Sequence, residues 1–419
     1  MNDTRPELVN LRARYVLSGR GDVFPGGVVS IRGQRIASVG DLSPAGRTID
    51  LGNVAILPGL VNAHTHLEFS DLDCPLGEPG MPLPDWIGRV IAFRGQVAEV
   101  PRDAVAIGLR ESISAGTTSL GEIATPGWSC KPFQKTPLDC TVFSEIIGLA
   151  ADRIVGGLAA AREFVESSRH DATWRAGISP HAPYSVHQQL VRELAEWAAR
   201  ANVPLAMHLA ESREELELLR TGQGPLRRRL DELGVWDDSA VARGSRVLDY
   251  LRVLHEAPSV LVIHGNYLND DEIAFLAEHA TTMSVVYCPR THAYFAHDEH
   301  PVERLLAAGA RVALGTDSRA SSPSLSLLDD MRLVARRHPG LAGEQVLELA
   351  TLCGARALGI DDETGTLEAG KRADLAVVAL GEDDPRDPYA RLLDCDMPVV
   401  ATICGGRVVY RHRDLAGEL

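Results

Sequence analysis

Apolar and polar positions alternate in two distinct ways along this chain, and the change of period divides it. Residues 11–56 carry short β-type runs at 13–17, 28–32 and 36–39, interrupted by Gly and Asp as in a small antiparallel sheet. Strand-like runs return at 373–379 and 399–410, where Gly405-Gly406 is a hairpin signal. A sheet divided between both ends implies that everything between is one continuous inserted body.

That middle part alternates strand with helix. Strands are expected at 58–66, 117–122, 140–146, 174–181, 203–208, 259–264, 281–287 and 311–317, with helical periodicity over 103–116, 154–168 and 186–200. Eight strands, each followed by helix, is the count of an α/β fold of the (β/α)₈ TIM-barrel type, whose chemistry belongs at the C-terminal strand ends. The expected division is a β-sandwich part at 1–57, a barrel at 58–363 and a second β-sandwich part at 364–419. Residues 221–245, with Gly222-Gln223-Gly224-Pro225, exceed a simple connection and suggest a helical hairpin serving as a lid or a subunit contact. A homodimer is the corresponding candidate assembly.

Composition narrows the class. A formal charge of −15 over 419 residues opposes a nucleic-acid or anionic-membrane partner, because both need a basic surface. The seven cysteines include no Cys-x-x-Cys pair and read as thiols of a reducing compartment. No apolar run reaches membrane-spanning length and the first residues lack a signal-peptide core. A cytoplasmic enzyme acting on a small molecule is the expectation.

Candidate chemistry lies where the polar residues fall. His64 and His66 end the first barrel strand, His181 the fourth, His208 the fifth, His264 the sixth and Asp317 the eighth. Residues i and i+2 of a strand share a face, so His64 and His66 point the same way. The other histidines, His300 among them, read as surface or cap residues, with His292 excepted. His64, His66, His208 and Asp317 supply three neutral imidazoles and a carboxylate, a set that suits Zn²⁺ or Fe²⁺ with a position left for water. A binuclear site of this barrel type commonly needs a bridging carboxylated lysine. Lys131, Lys135 and Lys371 are the chain's lysines, and none ends a barrel strand, so one divalent ion per subunit is expected. Such an ion lowers the pKa of bound water to roughly 7. Glu211, three residues after His208, can then shuttle a proton, Asp317 can accept the water's proton, and His264 can orient the water or polarise an oxyanion.

Pro58-Gly59-Leu60-Val61-Asn62-Ala63-His64-Thr65-His66, Met207-His208-Leu209-Ala210-Glu211, Val262-Ile263-His264-Gly265 and Leu314-Gly315-Thr316-Asp317-Ser318 together resemble the amidohydrolase superfamily, most closely its cytosine deaminase and triazine hydrolase branch. The segment from Thr364 to Leu375 resembles the family's return to its small β-sandwich. The resemblance implies a mononuclear metal hydrolase acting on a C–N bond of an aminated heterocycle, with Glu211 delivering a proton to a ring nitrogen. It also implies substrate contact for His181. Leu67-Glu68-Phe69-Ser70 after the paired histidines, and Cys288-Pro289-Arg290-Thr291-His292, are similar to sequences of aminodeoxyfutalosine deaminases. Arg290 would then bind a substrate carboxylate or form an ordinary salt bridge. Glu68, Trp86, Glu122, Glu145, Tyr184, Arg290 and His292 are the candidates for lining the pocket.

The expected activity is hydrolytic deamination of an adenine-type nucleoside or related ring. Guanine or cytosine deamination and triazine hydrolysis are the alternatives on the same scaffold. An inactive barrel acting as a scaffold is the alternative of another class, opposed by the completeness of the ligand set.

Overall fold

The computed structural model describes residues 6–41, 44–97, 103–127, 129–168, 173–381, 387–413 and 415. Seven short strands come first: β1 (Leu8–Arg12), β2 (Tyr15–Leu17), β3 (Val23–Pro25), β4 (Val28–Arg32), β5 (Arg35–Gly40), β6 (Arg47–Asp50) and β7 (Val54–Pro58). The central body contributes β8 (Leu60–Thr65), β9 (Thr117–Ala124), β10 (Asp139–Ile146), β11 (Arg175–Pro180), β12 (Leu205–Leu209), β13 (Val260–His264), β14 (Met283–Tyr287) and β15 (Arg311–Leu314). After it come β16 (Leu375–Ala379), β17 (Val399–Cys404) and β18 (Arg407–Arg411).

Strands β8 to β15 lie side by side in sequence order, every neighbouring pair parallel. The seam between first and last is closed by the backbone around the candidate ligands. Thr65 bridges Asp317 in parallel fashion, the Asp317 N–H donates to the His64 carbonyl at 3.1 Å, and Asn62 donates to Thr316 Oγ1 at 2.8 Å. Barrel closure and assembly of the site are therefore one event. The last strand ends at Leu314 rather than at 317, because Gly315 and Thr316 turn across to β8. A Cβ on Gly315 would lie 2.9 Å from the Cβ of His64, so the close approach requires glycine.

Period-2 patterning explains what each strand presents. On β12, Leu205, Met207 and Leu209 pack into the apolar cluster that includes Leu190 and Leu194 of the covering helix, leaving Ala206 and His208 for the other face. That helix, Gln188–Ala201, buries Leu190, Val191, Leu194, Ala195 and Ala198 at helical spacing. It starts at His187, whose side chain accepts from the Gln189 N–H, and stops at Asn202 in the left-handed conformation.

The terminal strands depart from a single antiparallel sheet. They form a four-stranded sheet ordered β5-β4-β1-β6 and a six-stranded one ordered β18-β17-β16-β7-β2-β3. Both are mixed, since β1 pairs in parallel with β6 and β2 with β7. The second combines strands from both ends of the chain, and Gly405-Gly406 makes its expected hairpin with both glycines at positive φ. Residues 221–245 continue a helical hairpin, Arg213–Thr221 and Pro225–Glu232, turned by Gly222 and Gly224. Its second helix reaches the helix Leu83–Val97, where Arg229 donates to the Pro84 carbonyl at 3.1 Å and pairs with Asp85 at 3.1 Å.

Candidate metal centre and cleft

Five imidazoles converge at the C-terminal end of the barrel. Ring centroids of His64 lie 4.9 Å from His66 and 5.0 Å from His208, His208 stands 4.9 Å from His181 and 5.4 Å from His264, and all five side chains lie at the rim rather than on the helical shell. Asp317 Oδ1 is 3.7 Å from His64 Nε2 and 3.9 Å from His66 Nε2. The Nε2 atoms of His66 and His208 are 3.2 Å apart. Ligand atoms of His64, His66 and His208, and separately of His64, His264 and Asp317, fall within 4.8 Å of one another.

Whether these residues fit a divalent ion can be judged from their unmet bonding. Both ring nitrogens of His64 and Nδ1 of His66 are buried without a hydrogen-bond partner, although buried polar groups are normally paired. Burial first, then the neighbouring histidines, pushes the pKa of His66 and of His208 well below the ordinary value, which keeps both rings neutral as ligands must be. His208 Nδ1–H donates to the His181 carbonyl at 3.0 Å, leaving the Nε2 lone pair directed at the cluster. The donor set fits Zn²⁺ or Fe²⁺, and its chemistry does not choose between them.

Glu211 stands beside this cluster. Its Oε1 lies 3.4 Å from His264 Nε2, and Tyr184 donates to Oε2 at 3.3 Å. Burial, then the Asp317 charge, pushes its carboxyl well above the usual carboxylate range. Ala210, His264 and Asp317 adopt positive φ of 54°, 69° and 58°. Left-handed backbone at non-glycine residues is uncommon and concentrates at functional sites.

A cleft of about 780 Å³ opens from this cluster, with His66, His181, His208, His264, Glu211 and Asp317 at its floor. Trp86, Glu145 and Tyr184 are among its lining residues, and Trp86 Nε1–H is fixed on the Ala320 carbonyl at 3.2 Å. Glu145 is 4 % exposed, and neither carboxylate oxygen has a hydrogen-bond partner. Its oxygens stand 3.8 Å from His181 Nε2 and 3.8 Å from Arg94. Burial holds the His181 ring neutral, its pKa down at about 3. Ile91, Ile147, Leu233 and Val235, each at least 39 % exposed, gather at the mouth.

Four candidates stand elsewhere. Arg290 takes the salt-bridge alternative: it pairs with Asp330 at 2.8 Å and donates also to Ser324 and to the Ser326 carbonyl, away from the cleft lining. His292 is buried among Tyr287, His297 and His300, behind the floor. Glu68 faces Arg94 at 2.5 Å, so it meets the cleft through that guanidinium. Glu122 accepts from Thr65 Oγ1 at 2.7 Å and from the Leu67 N–H at 3.0 Å, holding the backbone on either side of His66.

Sequence reasoning missed four residues. Arg94 comes from an exposed-looking helix with no motif around it. His300 is buried rather than a surface or cap residue; its Nε2–H donates to the His264 carbonyl at 2.9 Å and its ring stacks on Tyr287 at 3.8 Å. Asn266 donates to the Glu211 carbonyl at 2.9 Å. Glu215, which looks like an ordinary first-turn acid, is wholly buried, and burial pushes its carboxyl up to about 7 against three backbone N–H groups that favour the ionised form. Lys371, by contrast, is occupied with the Asp361 and Thr364 carbonyls, remote from the rim.

Known proteins resemble this chain over most of its length. The family model described as "Amidohydrolase family" matches residues 55–409. The chain is 33 % identical over 395 residues, 88 % of this chain and 84 % of the relative, to the 5-methylthioadenosine/S-adenosylhomocysteine deaminase of Moorella thermoacetica. It is 30 % identical over 365 residues, 81 % of this chain and 82 % of the relative, to the aminodeoxyfutalosine deaminase of Deinococcus radiodurans. Among solved structures, a zinc-bound adenosine deaminase from Xanthomonas campestris superposes with a TM-score of 0.79 at 26 % identity, covering 98 % of this chain and 94 % of that one.

Proposed function

This chain belongs to the amidohydrolase family, and from that premise we propose that it is a metal-dependent hydrolytic deaminase of an adenine-type nucleoside. One observation carries the reading: buried histidine nitrogens without partners gather around Asp317, and the buried Glu211 carboxyl stands beside them, 3.4 Å from His264 Nε2. Relatives at 30 % identity and above that are named for deamination of adenine nucleosides support the substrate class.

His64, His66, His208 and Asp317 would hold the divalent ion. When bound, that ion makes a water molecule acidic enough to serve as nucleophile at neutral pH. In the net reaction, water adds at the ring carbon bearing the amino group, the C–N bond breaks and ammonia leaves. Asp317 accepts a proton from the attacking water. Glu211 carries a proton to the adjacent ring nitrogen, which makes the carbon more electrophilic, and later serves the departing nitrogen. His264, neutral through burial, donates toward the oxygen as negative charge develops there. His181 and Glu145 face the rest of the ring and its sugar, where a carboxylate without hydrogen-bond partners can accept hydrogen bonds from hydroxyl groups. A 780 Å³ cavity lies within the range of whole drug-sized ligands, and its apolar mouth gives room for a substituent beyond the sugar.

The test is ammonia release from a panel of adenosine, 5′-substituted adenosines, guanine, cytosine and aminotriazines, with bound metal measured on the same preparation. The expected outcome is turnover of adenine nucleosides with about one equivalent of Zn²⁺ or Fe²⁺. Metal-loaded protein that releases ammonia from no amino-purine would overturn the reading. Glu211→Gln should reduce kcat by about 10³-fold with metal content unchanged.

A further inference from the structure

Glu211 sits on a backbone turn that the chain does not adopt freely. Between the end of β12 and the helix Arg213–Thr221, Ala210 is left-handed at φ 54° without being glycine. Such a turn persists only where surrounding bonds over-determine it. Its carbonyls are taken from one side: Gly265 N–H donates to the Leu209 carbonyl at 3.1 Å, Tyr267 N–H to the Ala210 carbonyl at 3.1 Å, and Asn266 Nδ2 to the Glu211 carbonyl at 2.9 Å. Its N–H groups are taken from the other side by one carboxylate. The Ala210 N–H donates to Glu215 Oε1 at 2.9 Å and the Glu211 N–H to Oε2 at 2.8 Å. Glu215 is itself fixed at the helix start, where its own N–H donates to Ser212 Oγ at 3.2 Å.

We propose that Glu215 is the positioning residue for the proton carrier: its two oxygens clamp the Ala210 and Glu211 amides and so set the direction in which the Glu211 side chain leaves the turn. The inference rests on Glu211 acting as that carrier. A carboxylate is the one side chain with two acceptor oxygens spaced to take adjacent N–H groups at once. A glutamine of the same shape offers one acceptor and turns an NH₂ toward the second amide, so it opens half of the clamp while filling the same space.

Glu215→Gln is therefore the informative variant. Expected are a fall in kcat of about 10- to 100-fold, a KM changed less than twofold, and unaltered bound metal, since a misaligned carrier affects the transition state more than binding. Combined with Glu211→Gln, it should cost no further activity, because the clamp has nothing left to aim. Losses that multiply in the double variant would mean a general structural role and would overturn the proposal, as would wild-type kcat in Glu215→Gln. A second readout needs no substrate: amide exchange in the peptide spanning residues 205–216 should accelerate at least tenfold in Glu215→Gln while the remaining barrel strands keep their protection. Unchanged exchange there overturns the clamp even if Glu211→Gln proves inactive, and a fully active Glu211→Gln with accelerated exchange in Glu215→Gln overturns the carrier reading instead. Glu215→Asp, shorter by one methylene, should recover neither kcat nor protection.

Discussion

Two buried polar clusters lie on neighbouring sides of the barrel's C-terminal end, and they are finished to different degrees. Around Arg290 every group is answered: the guanidinium meets Asp330, Ser324 and the Ser326 carbonyl, and the Arg290 N–H meets the other oxygen of Asp330. Around His64 the opposite holds, with ring nitrogens and the Glu145 oxygens left without partners in a place water barely reaches. Leaving a buried polar group unpaired costs about 1–3 kcal/mol, so such a cluster is tolerated where a ligand completes it. Completion by the chain itself marks architecture, and incompleteness marks a place for something else.

The contrast can be broken most severely at the unfinished cluster. His208→Ala removes a ligand and should lower kcat/KM by on the order of 10⁴-fold, about 5.5 kcal/mol of transition-state stabilisation. Elemental analysis should find the ion depleted while circular dichroism stays native. If His208→Ala keeps both metal and activity, the histidine cluster is not the site.

Next in size is the finished cluster. Arg290→Leu leaves the buried Asp330 without its cation, holding only the backbone N–H of residue 290, and should destabilise the fold by about 3–5 kcal/mol, read from denaturant midpoints. The folded fraction should retain near-normal KM, because Arg290 lies off the cleft. A large rise in KM with unchanged stability would return Arg290 to the substrate.

Asp374 offers an intermediate case and the smallest effect. It takes the Gly405 N–H at 2.8 Å and lies 3.2 Å from Arg372 Nε, yet its Oδ2 has no partner. Burial, opposed by the Arg372 charge, raises its pKa from 3.8 to about 6. A carboxyl with a raised folded-state pKa binds its proton more tightly in the native chain, so it favours folding while protonated. Stability should therefore fall as pH rises from about 4 to 6, by up to about 2 kcal/mol. In Asp374→Asn that slope should flatten; equal slopes in both proteins would exclude Asp374 as its source.

Much of this architecture is legible in the chain because its cause is local or periodic. The β-type runs of the barrel strands, the helix spacings between them and the glycine pair at 405–406 follow from side-chain period and turn chemistry, and the strand-tip histidines reveal themselves by position. What stayed hidden depends on distant partners. Nothing near Arg290 announces Asp330, forty residues on, and nothing near His300 announces the His264 carbonyl, so one stood open between a substrate contact and a salt bridge and the other read as surface or cap. Glu215 carried an ambiguous signal: an acid in the first helical turn is commonplace, and only the left-handed Ala210 before it shows what that acid is holding.

Gly59 is the sole residue between β7 of the mixed terminal sheet and β8, the strand that delivers His64. Its N–H donates to the Asp374 carbonyl at 2.9 Å, and a Cβ there would collide with Thr118 at 2.1 Å. The reactive centre thus hangs from the outer layer by a rigid hinge pin five residues long. Trimming the leading segment to obtain a minimal catalytic core would withdraw the anchor of its first ligand, and a fusion tag that strains β7 would be felt at the metal long before it was felt at the surface.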